Sequence, residues 1–463
     1  MAATPQPFTP SRAIDEIADF IADSVEAACF PDHRLRFRND RAARQLGLEG
    51  LSDAAWLDHF GRFVPLDGSL PQPLALRYHG HQFRVYNPDI GDGRGFLFAQ
   101  CFDDAGRLMD LGTKGTGPTP YSRFGDGRLT LKGAIREILA TEMLEALGVA
   151  TSRSFSVIET GEALHRGDEP SPTRSAVLVR LNHGHIRIGS FQRLATLGQT
   201  AELERLVAYC LKQYWGEEMG SDGPTRFLGY VAQGTARMAA SFMAAGFVHG
   251  VLNSDNINVT GESFDYGPWR FAPTFDADFT AAYFDSAGLY AFGRQAEAIH
   301  WDVVQLAISL QGLADSDALA MAVDLFAPAY RDTIVNKMLW RLGVASMTPE
   351  ANIALVQAME SALVASQCPL DRFFLDWRGG DLRRENPAYA EADFRAFREA
   401  VAAFGPLPND DHPYWSDAEP CSMLIGDVEE IWAQIAERDD WTGLETKVAD
   451  IRRMGEAHSL ANR

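Results

Sequence analysis

The pattern of apolar residues becomes mainly helical after residue 190, and that change limits the folds open to this chain. Before it, short apolar runs alternate with glycine-rich or polar turns, as in a sheet. Strands are predicted at 95–102, 108–114, 154–158 and 175–181. After it, the apolar spacing becomes helical. Helices are predicted at 201–214, 225–245, 301–313, 316–342 and 351–366. Strands followed by helices predict an α+β chain, with a small sheet-containing lobe before a larger helical lobe.

Three further helices complete the outline. Residues 12–30 have the spacing of an acidic amphipathic helix, and residues 131–147 that of a helix ending at a C-cap glycine, Gly148. The last segment carries a charged amphipathic helix at about 427–455. A chain of 463 residues is too long for one hydrophobic core. We therefore predict an N-lobe at 1–183, a helical C-lobe at 184–379 and a helical extension at 380–463.

The net charge of the chain restricts the kinds of molecule that it can bind. Asp and Glu number 63 against 42 Lys and Arg, a net charge of −21, which argues against nucleic acid and anionic membranes as partners. Any polyanion must be met by a local positive cluster. The five cysteines form no C-x-x-C pair, Met1–Arg12 has no apolar leader, and no apolar segment reaches the length of a membrane span. These features predict a protein of the reducing cytoplasm.

The tetrapeptide Gly-Asp-Gly-Arg occurs twice, and each copy is a candidate anion-binding loop. Gly91, Gly93 and Arg94 belong to the first copy, and Asp126 and Gly127 to the second. Glycines let backbone N–H groups approach an anion, and the adjacent arginine adds positive charge. The alternative is an ordinary tight turn, which uses the same residues.

Lys114 and Glu137 are a candidate pair of charged residues at a definite spacing in the sequence. Lys114 ends a predicted strand after the first glycine loop, and Glu137 lies 23 residues later in the predicted helix at 131–147. In protein kinases a glycine loop, a strand lysine and a helix glutamate occur in this order, and the glutamate holds the lysine against nucleotide phosphates. Glu137 lies opposite the apolar stripe of its helix, so a solvated acid is the alternative, and Glu142 is a rival partner for the lysine.

Two arginines lie seven residues apart where the last predicted strand ends. Arg180 and Arg187 at this boundary would face the cleft between the two lobes, where ligands commonly bind. In an acidic chain they form a local positive cluster. The alternative is a pair of surface arginines that form ion pairs with nearby acidic side chains.

The most specific segment is His249-Gly-Val-Leu-Asn-Ser-Asp-Asn256, followed by Asp265-Tyr-Gly267. A kinase catalytic loop reads H-x-D-x-x-x-x-N and is followed by D-F-G, whose aspartate binds metal together with the asparagine. Asn256 and Asp265 match the two metal ligands, but Val251 occupies the place of the catalytic aspartate. Since valine cannot accept a proton, Asp255 is the nearest replacement base.

Together these stretches make the chain resemble the selenoprotein O family of pseudokinases, which act as protein adenylyltransferases. The resemblance covers about residues 78–300. It rests on Tyr78-His-Gly-His-Gln-Phe83, Val85-Tyr-Asn-Pro88, Gly91-Asp-Gly-Arg94, Lys114 to Arg128, Ile135-Arg-Glu137, His185-Ile-Arg-Ile-Gly189, His249 to Asn256 and Asp265-Tyr-Gly-Pro268. It implies a protein-kinase-like two-lobed fold, in which ATP is flipped relative to its pose in kinases and AMP passes to a protein Ser, Thr or Tyr hydroxyl.

The resemblance also implies a role for each candidate residue. Asp255 would accept the proton, Asn256 and Asp265 would hold Mg²⁺ or Mn²⁺, and Glu137 would orient Lys114. The nucleotide-binding residues would be Gly91, Gly93, Arg94, Lys114, Asp126, Gly127, Arg180, Arg187 and Asp265. UTP is an alternative donor, and the chain itself is a further acceptor besides other proteins.

Two other functions stay open on the sequence. One is a phosphotransferase acting on small molecules or proteins, which His249-Gly and Asp265-Tyr-Gly favour and Val251 opposes. The other is a pseudokinase that binds nucleotide without catalysis, which the retained metal and phosphate ligands oppose.

Overall fold

The computed structural model describes residues 7–167, 169–408 and 411–460 and shows a mixed α/β chain. The start of Met1–Arg12 and parts of the predicted units 1–183 and 380–463 lie outside these ranges. The strands are β1 (Thr9–Ser11), β2 (Ala22–Ser24), β3 (Arg34–Arg38), β4 (Leu74–Leu76), β5 (Gly80–Gln82), β6 (Val85–Asn87), β7 (Leu97–Phe102), β8 (Leu108–Lys114), β9 (Leu129–Thr130), β10 (Arg153–Leu164), β11 (Thr173–Asn182), β12 (Phe247–Val248) and β13 (Arg270–Phe271).

Helices dominate after β11. The α-helices are α1 (Ala18–Ile21), α2 (Asp40–Leu46), α3 (Asp53–Phe60), α4 (Leu131–Ala146), α5 (Ile188–Thr196), α6 (Thr200–Cys210), α7 (Gly223–Ala245), α8 (Gln295–Ser309), α9 (Ser316–Val323), α10 (Phe326–Leu342), α11 (Pro349–Ser366), α12 (Leu370–Asp376), α13 (Arg395–Val401), α14 (Ile425–Arg438) and α15 (Thr442–Leu460). The apolar helix α7 is buried along most of its length and packs against α8, α9 and α10. Within the described ranges, no helix combines the length and apolarity needed to cross a membrane.

The strands of one antiparallel sheet all lie before residue 183 in the sequence. Its strand order is β2-β4-β7-β8-β11-β10-β3, with β1 paired to β7 and β9 paired to β11. The predicted strands at 95–102 and 108–114 are confirmed as β7 and β8. Those at 154–158 and 175–181 are confirmed as parts of β10 and β11, which extend further into the polar connection. Lys114, the last residue of β8, therefore stands on a strand in the middle of the sheet.

The predicted helix at 12–30 is wrong. A short 3-10 turn and the four-residue α1 are followed by β2, which pairs with β4 and joins the edge of the sheet. The apolar residues that suggested a helix, among them Ile14, Ile17 and Ile21, are buried all the same. Their burial satisfies the hydrophobic pattern, and backbone pairing with β4 decides the local structure.

The helix α4 is enclosed on two sides. The side chain of Thr130 caps its start by accepting from the Gly133 N–H at 3.1 Å. One side packs on β10 and β11, and the other on α15, where Arg452 Nη2 lies 2.6 Å from Glu142 Oε1. Because both sides are covered, side chains outside its apolar stripe are also buried.

The predicted single helix at 427–455 is two helices. The chain turns at Asp439, whose φ of 50° is left-handed, so α14 ends there and α15 starts three residues later. The Asp439 carboxylate accepts from Arg174 of β11 at 2.8 Å and from the Trp441 indole at 3.0 Å. These contacts tie the turn to the sheet. The predicted helix at 316–342 is likewise divided into α9 and α10.

Candidate active site

A cleft of about 620 Å³ lies where the ends of β8 and β11 face the loops after α7. Seven basic residues and four aspartates line it. The basic residues are Arg94, Lys114, Arg123, Arg128, Arg166, Arg180 and Arg187, and the aspartates are Asp92, Asp126, Asp255 and Asp265. In a chain whose net charge is −21, this excess of positive charge forms a local site for a polyanion.

Most of the residues predicted from sequence meet in this cleft. Those that line it are Gly91, Gly93, Arg94, Lys114, Asp126, Gly127, Arg180, Arg187, Asp255 and Asp265. Two predicted residues lie just outside. Glu137 is buried behind Lys114, and Asn256 follows Asp255 without itself lining the cleft.

Lys114 joins the sheet, α4 and the loop that carries Asp265. Its Nζ forms an ion pair with the Glu137 carboxylate and a second one, at 2.7 Å, with Asp265 Oδ1. Both Lys114 and Glu137 are buried. A buried lysine between two carboxylates is held in one position, because breaking either pair leaves an uncompensated charge.

Glu142, the rival partner for the lysine, points elsewhere. Its carboxylate accepts from Arg452 Nε at 2.8 Å and pairs with Arg41. Glu137 is buried although it lies opposite the apolar stripe, because its carboxylate faces Lys114 on β8 of the sheet. The solvated position considered from the sequence is therefore wrong for Glu137.

Asp265 is the negative centre of the cleft. Arg180 Nη1 lies 3.3 Å from its Oδ1, and Arg187 Nη1 lies 3.9 Å from its Oδ2. Burial disfavours its ionised form, but the charges of Lys114, Arg180 and Arg187 outweigh burial and hold the pKa of Asp265 well below its usual range. Its φ of 65° is left-handed, a strained conformation that is common at functional sites.

Arg187 is held on several sides. It donates to Asp92 Oδ1 at 3.1 Å and to the backbone carbonyl of Asp255 at 2.9 Å. Its guanidinium carbon lies 4.4 Å from the ring centroid of Tyr78 and 4.8 Å from that of Phe264. A planar cation fixed in this way is already arranged to meet a phosphate without losing much rotamer entropy.

Arg180 shares the ring of Phe264, with its guanidinium carbon 5.1 Å from the centroid. Its Nε donates to His185 Nε2 at 3.2 Å. Burial lowers the pKa of His185, so the imidazole is neutral and can accept this bond. The histidine therefore positions the arginine.

The first Gly-Asp-Gly-Arg copy lies against residues 119–122, which precede the second copy in the chain. Thr119 donates to the carbonyl of Asp92 at 2.5 Å, and Ser122 donates to that of Gly93. A Cβ on Gly91 would lie 2.5 Å from the Tyr121 ring, so only glycine fits this contact. The two loops thus form one wall of the cleft.

Asp126 stabilises the second copy. Its carboxylate oxygens accept from Arg166 at 2.9 and 3.1 Å, and one also accepts from the Arg128 N–H at 2.9 Å. Gly127 has a φ of 67°, and a Cβ there would lie 2.1 Å from the Gly117 carbonyl. The loop keeps its shape through these two residues.

Asp255 is the carboxylate with the fewest partners in the cleft. It is 8% exposed, and its Oδ1 has no hydrogen bond within the described part of the chain. Burial raises the pKa of its carboxyl to about 6, against the opposing charge of Arg187. A buried carboxylate with a free oxygen and a pKa near neutrality is suited to accept a proton.

The donor chemistry beside Asp255 fits a hard divalent cation. Asn256 donates through Nδ2 to the Val251 carbonyl at 3.1 Å, which leaves its amide oxygen free as a ligand. With Asp265 it would supply two of the oxygen ligands that Mg²⁺ or Mn²⁺ prefers. No group of three or more His, Cys, Asp and Glu side chains suited to a metal occurs within the described ranges, so substrate oxygens and water would complete the coordination.

Several residues of the site were missed from the sequence. Asp92, inside the first glycine loop, binds Arg187, and it also accepts from the Leu76 N–H at 3.1 Å. The guanidinium groups of Arg187 and Arg180 lie over the rings of Tyr78 and Phe264, respectively. Asp92 and Tyr78 lie in the motifs that suggested the site, whereas Arg166 lies in a polar connection that has no sequence signal.

The comparisons with known proteins agree with these motifs. The family model described as "Protein adenylyltransferase SelO" matches residues 8–393. A Synechocystis sp. protein named "Protein nucleotidyltransferase YdiU" is 41% identical over 465 residues, which are 94% of this chain and 95% of the relative. Proteins of the same name from Synechococcus elongatus (40%, covering 97% and 96%) and Gloeobacter violaceus (41%, covering 95% and 94%) are similar over nearly their whole lengths.

Proposed function

The chain belongs to the SelO family of protein adenylyltransferases, and from this membership we propose how its cleft works as a protein nucleotidyltransferase. The cleft binds ATP in a pose flipped relative to that in kinases and transfers AMP to a Ser, Thr or Tyr hydroxyl of a protein. Other proteins and the chain itself serve as acceptors, and UTP is an alternative donor that would give UMP transfer.

The chain is organised for this reaction as a protein-kinase-like pair of lobes, 1–183 and 184–379, with a helical extension at 380–463. The position of the sheet supports the proposal, because every strand of the large sheet precedes residue 183. We place the protein in the reducing cytoplasm, where its free cysteines would stay reduced.

The observation that carries the proposal is the set of ion pairs around Asp265. Lys114, Arg180 and Arg187 reach this carboxylate from β8, from β11 and from the start of α5. Together with Arg94, these cations would bind the triphosphate and neutralise the charge that develops on the departing pyrophosphate. Glu137 would keep Lys114 in position, and the glycine loops at 91–94 and 125–128 would present backbone N–H groups.

Asp255 would act as the base, because Val251, at the position of the kinase aspartate, cannot accept a proton. The acceptor hydroxyl oxygen forms a bond to the α-phosphorus while the bond to the bridging oxygen of the β-phosphate breaks. The hydroxyl proton passes to the Asp255 carboxylate, and the electron pair of the broken bond leaves on pyrophosphate. The free oxygen of Asp255 and its pKa of about 6 support this role.

Asp265 and Asn256 would hold Mg²⁺ or Mn²⁺. When bound, the cation supplies positive charge that screens the phosphate oxygens.

The test is the fate of the phosphate label. We expect the full chain, incubated with Mn²⁺, to gain radioactivity from α-labelled ATP and none from γ-labelled ATP, with a mass increase of one AMP. Asp255→Asn should retain ATP binding and lose transfer by about 10²–10⁴-fold. The exposed Asp104→Asn serves as the control. Label from the γ-phosphate alone would indicate a phosphotransferase, and binding without any label would indicate a non-catalytic pseudokinase.

A further inference from the structure

One aromatic side chain at the nucleotide cleft packs against nothing in the described part of the chain. The aromatic residues that line the cleft there are Tyr78, Tyr121 and Phe124. The ring of Tyr78 lies against Arg187, and the ring of Tyr121 lies against Gly91. Phe124 is fully exposed, and no other large apolar side chain in the described ranges is as exposed. Both faces of its ring are therefore open to a ligand.

The turn that carries Phe124 is attached to the first glycine loop. The Gly125 N–H donates to the Ser122 carbonyl at 2.7 Å, which closes a turn around Arg123 and Phe124. The Ser122 hydroxyl donates to the carbonyl of Gly93. The exposed ring therefore lies two residues from a contact with the loop that would face the phosphates.

The backbone of this turn is strained. Arg123 has a φ of 53°, in the left-handed region that residues with a Cβ rarely adopt. Its side chain is exposed and forms no hydrogen bond or ion pair within the part of the chain that the structure describes. Because no side-chain contact of Arg123 offsets the strain, the turn has the character of a segment shaped for a ligand.

The cleft is cationic and buried at one end and open at the other. Lys114, Arg180 and Arg187 lie at the buried end, where each side chain is at most 6% exposed. Residues 123–126 are exposed and form part of the open end. A nucleoside triphosphate joins an anionic chain to an aromatic base. With its phosphates against the buried cations, its base lies at the open end, beside Phe124.

We propose that Phe124 stacks on the base of the nucleotide donor and makes the cleft selective for a purine over a pyrimidine. A purine has two fused rings and a pyrimidine has one, so the purine offers the larger face for stacking. The inference rests on the proposed function. It makes Phe124 a specificity-determining residue and ATP a better donor than UTP.

The test compares three ligands that share a triphosphate chain. They are α,β-methylene-ATP, α,β-methylene-UTP and inorganic tripolyphosphate, which has no base. None of them can donate a nucleotide, so isothermal titration calorimetry with Mg²⁺ measures binding to the full chain without transfer.

Two variants separate the ring from its apolar character. Phe124→Leu keeps an apolar side chain and removes the ring, whereas Phe124→Tyr keeps the ring. The control is Met321→Ala on α9, which removes a 66% exposed apolar side chain that does not line the cleft.

We expect wild type to bind the ATP analogue about fivefold more tightly than the UTP analogue. Phe124→Leu should weaken the ATP analogue about tenfold and the UTP analogue less, so that the two affinities converge. Phe124→Tyr and Met321→Ala should bind as wild type does. Tripolyphosphate should bind equally to all four proteins, because it has no base to stack. This last result also shows that the cleft of each variant is intact.

Three results would overturn the inference. Wild type could bind the two analogues equally, or Phe124→Leu could leave the affinity for the ATP analogue unchanged. Phe124→Leu could also weaken tripolyphosphate as much as the ATP analogue, which would make Phe124 a part of the scaffold of the cleft.

Transfer assays separate this inference from the proposed function. Ring-dependent, purine-selective binding without AMP transfer to any protein would contradict the proposed function alone. AMP transfer by Phe124→Leu with an unchanged KM for ATP and a raised KM for the acceptor protein would contradict the inference alone and assign the ring to the acceptor. Absence of binding of all three ligands to wild type would contradict both.

Discussion

Arg187 Nη1 donates a hydrogen bond to the backbone carbonyl oxygen of Asp255 at 2.9 Å. The same side chain binds Asp92 and lies on the ring of Tyr78. One arginine therefore connects the first glycine loop to the loop of the proposed base. Any change in its geometry should affect nucleotide binding and proton transfer together.

Arg187→Lys tests this connection. Lysine keeps the charge but loses the planar group that makes both bonds and the stacking contact. We expect kcat/KM for AMP transfer to fall about 10–100-fold, with KM for ATP raised and kcat lowered. Steady-state kinetics measures both constants. Arg193→Lys, whose arginine donates to the Phe20 carbonyl, is the control. A rise in KM with an unchanged kcat would show that Arg187 does not position Asp255.

The pH profile should report the ionisation of Asp255. A base must be deprotonated to accept a proton, and burial raises the pKa of this carboxyl to about 6. The rate of AMP transfer should therefore rise through about pH 6 and level off above it. The residual activity of Asp255→Asn should lack this step. The same step in the variant would assign it to the nucleotide or to another group.

The same carboxyl should destabilise the folded chain near neutrality. Because its pKa is higher in the folded state than the ordinary 3.8, the folded chain binds the proton more tightly, and stability falls as pH rises from about 4 to about 6. Asp255→Asn should raise the free energy of unfolding by about 3 kcal/mol at pH near 7.5 and by little at pH near 4. Urea unfolding at the two pH values measures the difference. A loss of stability at the higher pH would contradict the burial argument.

Two glutamates on α4, Glu137 and Glu142, can be substituted in the same way and compared. Glu137→Gln removes the charge that holds Lys114, so we expect AMP transfer to fall about 10–100-fold. Glu142→Gln weakens the contact with Arg452 and should lower the melting temperature while leaving the kinetics of the folded enzyme unchanged. Kinetics and thermal unfolding of both variants separate the two roles. Equal kinetic losses would mean that α4 responds as a whole and that Glu137 has no specific role.

The contact between Gly91 and the Tyr121 ring allows a steric test. A methyl group at Gly91 would overlap the Tyr121 ring, so Gly91→Ala should move the loop and weaken ATP binding about tenfold or more. Gly50→Ala, which has no atom within 4 Å of the new Cβ, should bind ATP as wild type does. Isothermal titration with ATP and Mn²⁺ gives both affinities. Unchanged binding by Gly91→Ala would remove this loop from the nucleotide site.

Much of the scaffold could be predicted because its signals are local. The strands β7 and β8 and the helices α4 and α7 have clear periodicity and flanking turns. The glycine loops, Lys114 and the Asp265 motif occur in a definite order along the chain, and each ends a strand or follows one. This order predicted that the candidate residues lie in one cleft.

The parts that failed depend on contacts distant in sequence. Residues 22–24 form a strand only because β4 is available as a partner. The turn at Asp439 is stabilised by Arg174, 265 residues away in the sequence. Glu137 is buried because the sheet brings Lys114 against it, which no helical wheel of α4 alone can show.

The covering of α4 by α15 has a consequence for synthesis on the ribosome. Arg452 binds Glu142 across 310 residues of sequence, so the helix that carries Glu137 remains open on one side until the segment of α15 has been made. Nascent and prematurely terminated chains therefore contain every motif of the nucleotide site while lacking the wall that fixes it. The order of translation itself delays a competent site until α15 has been synthesised.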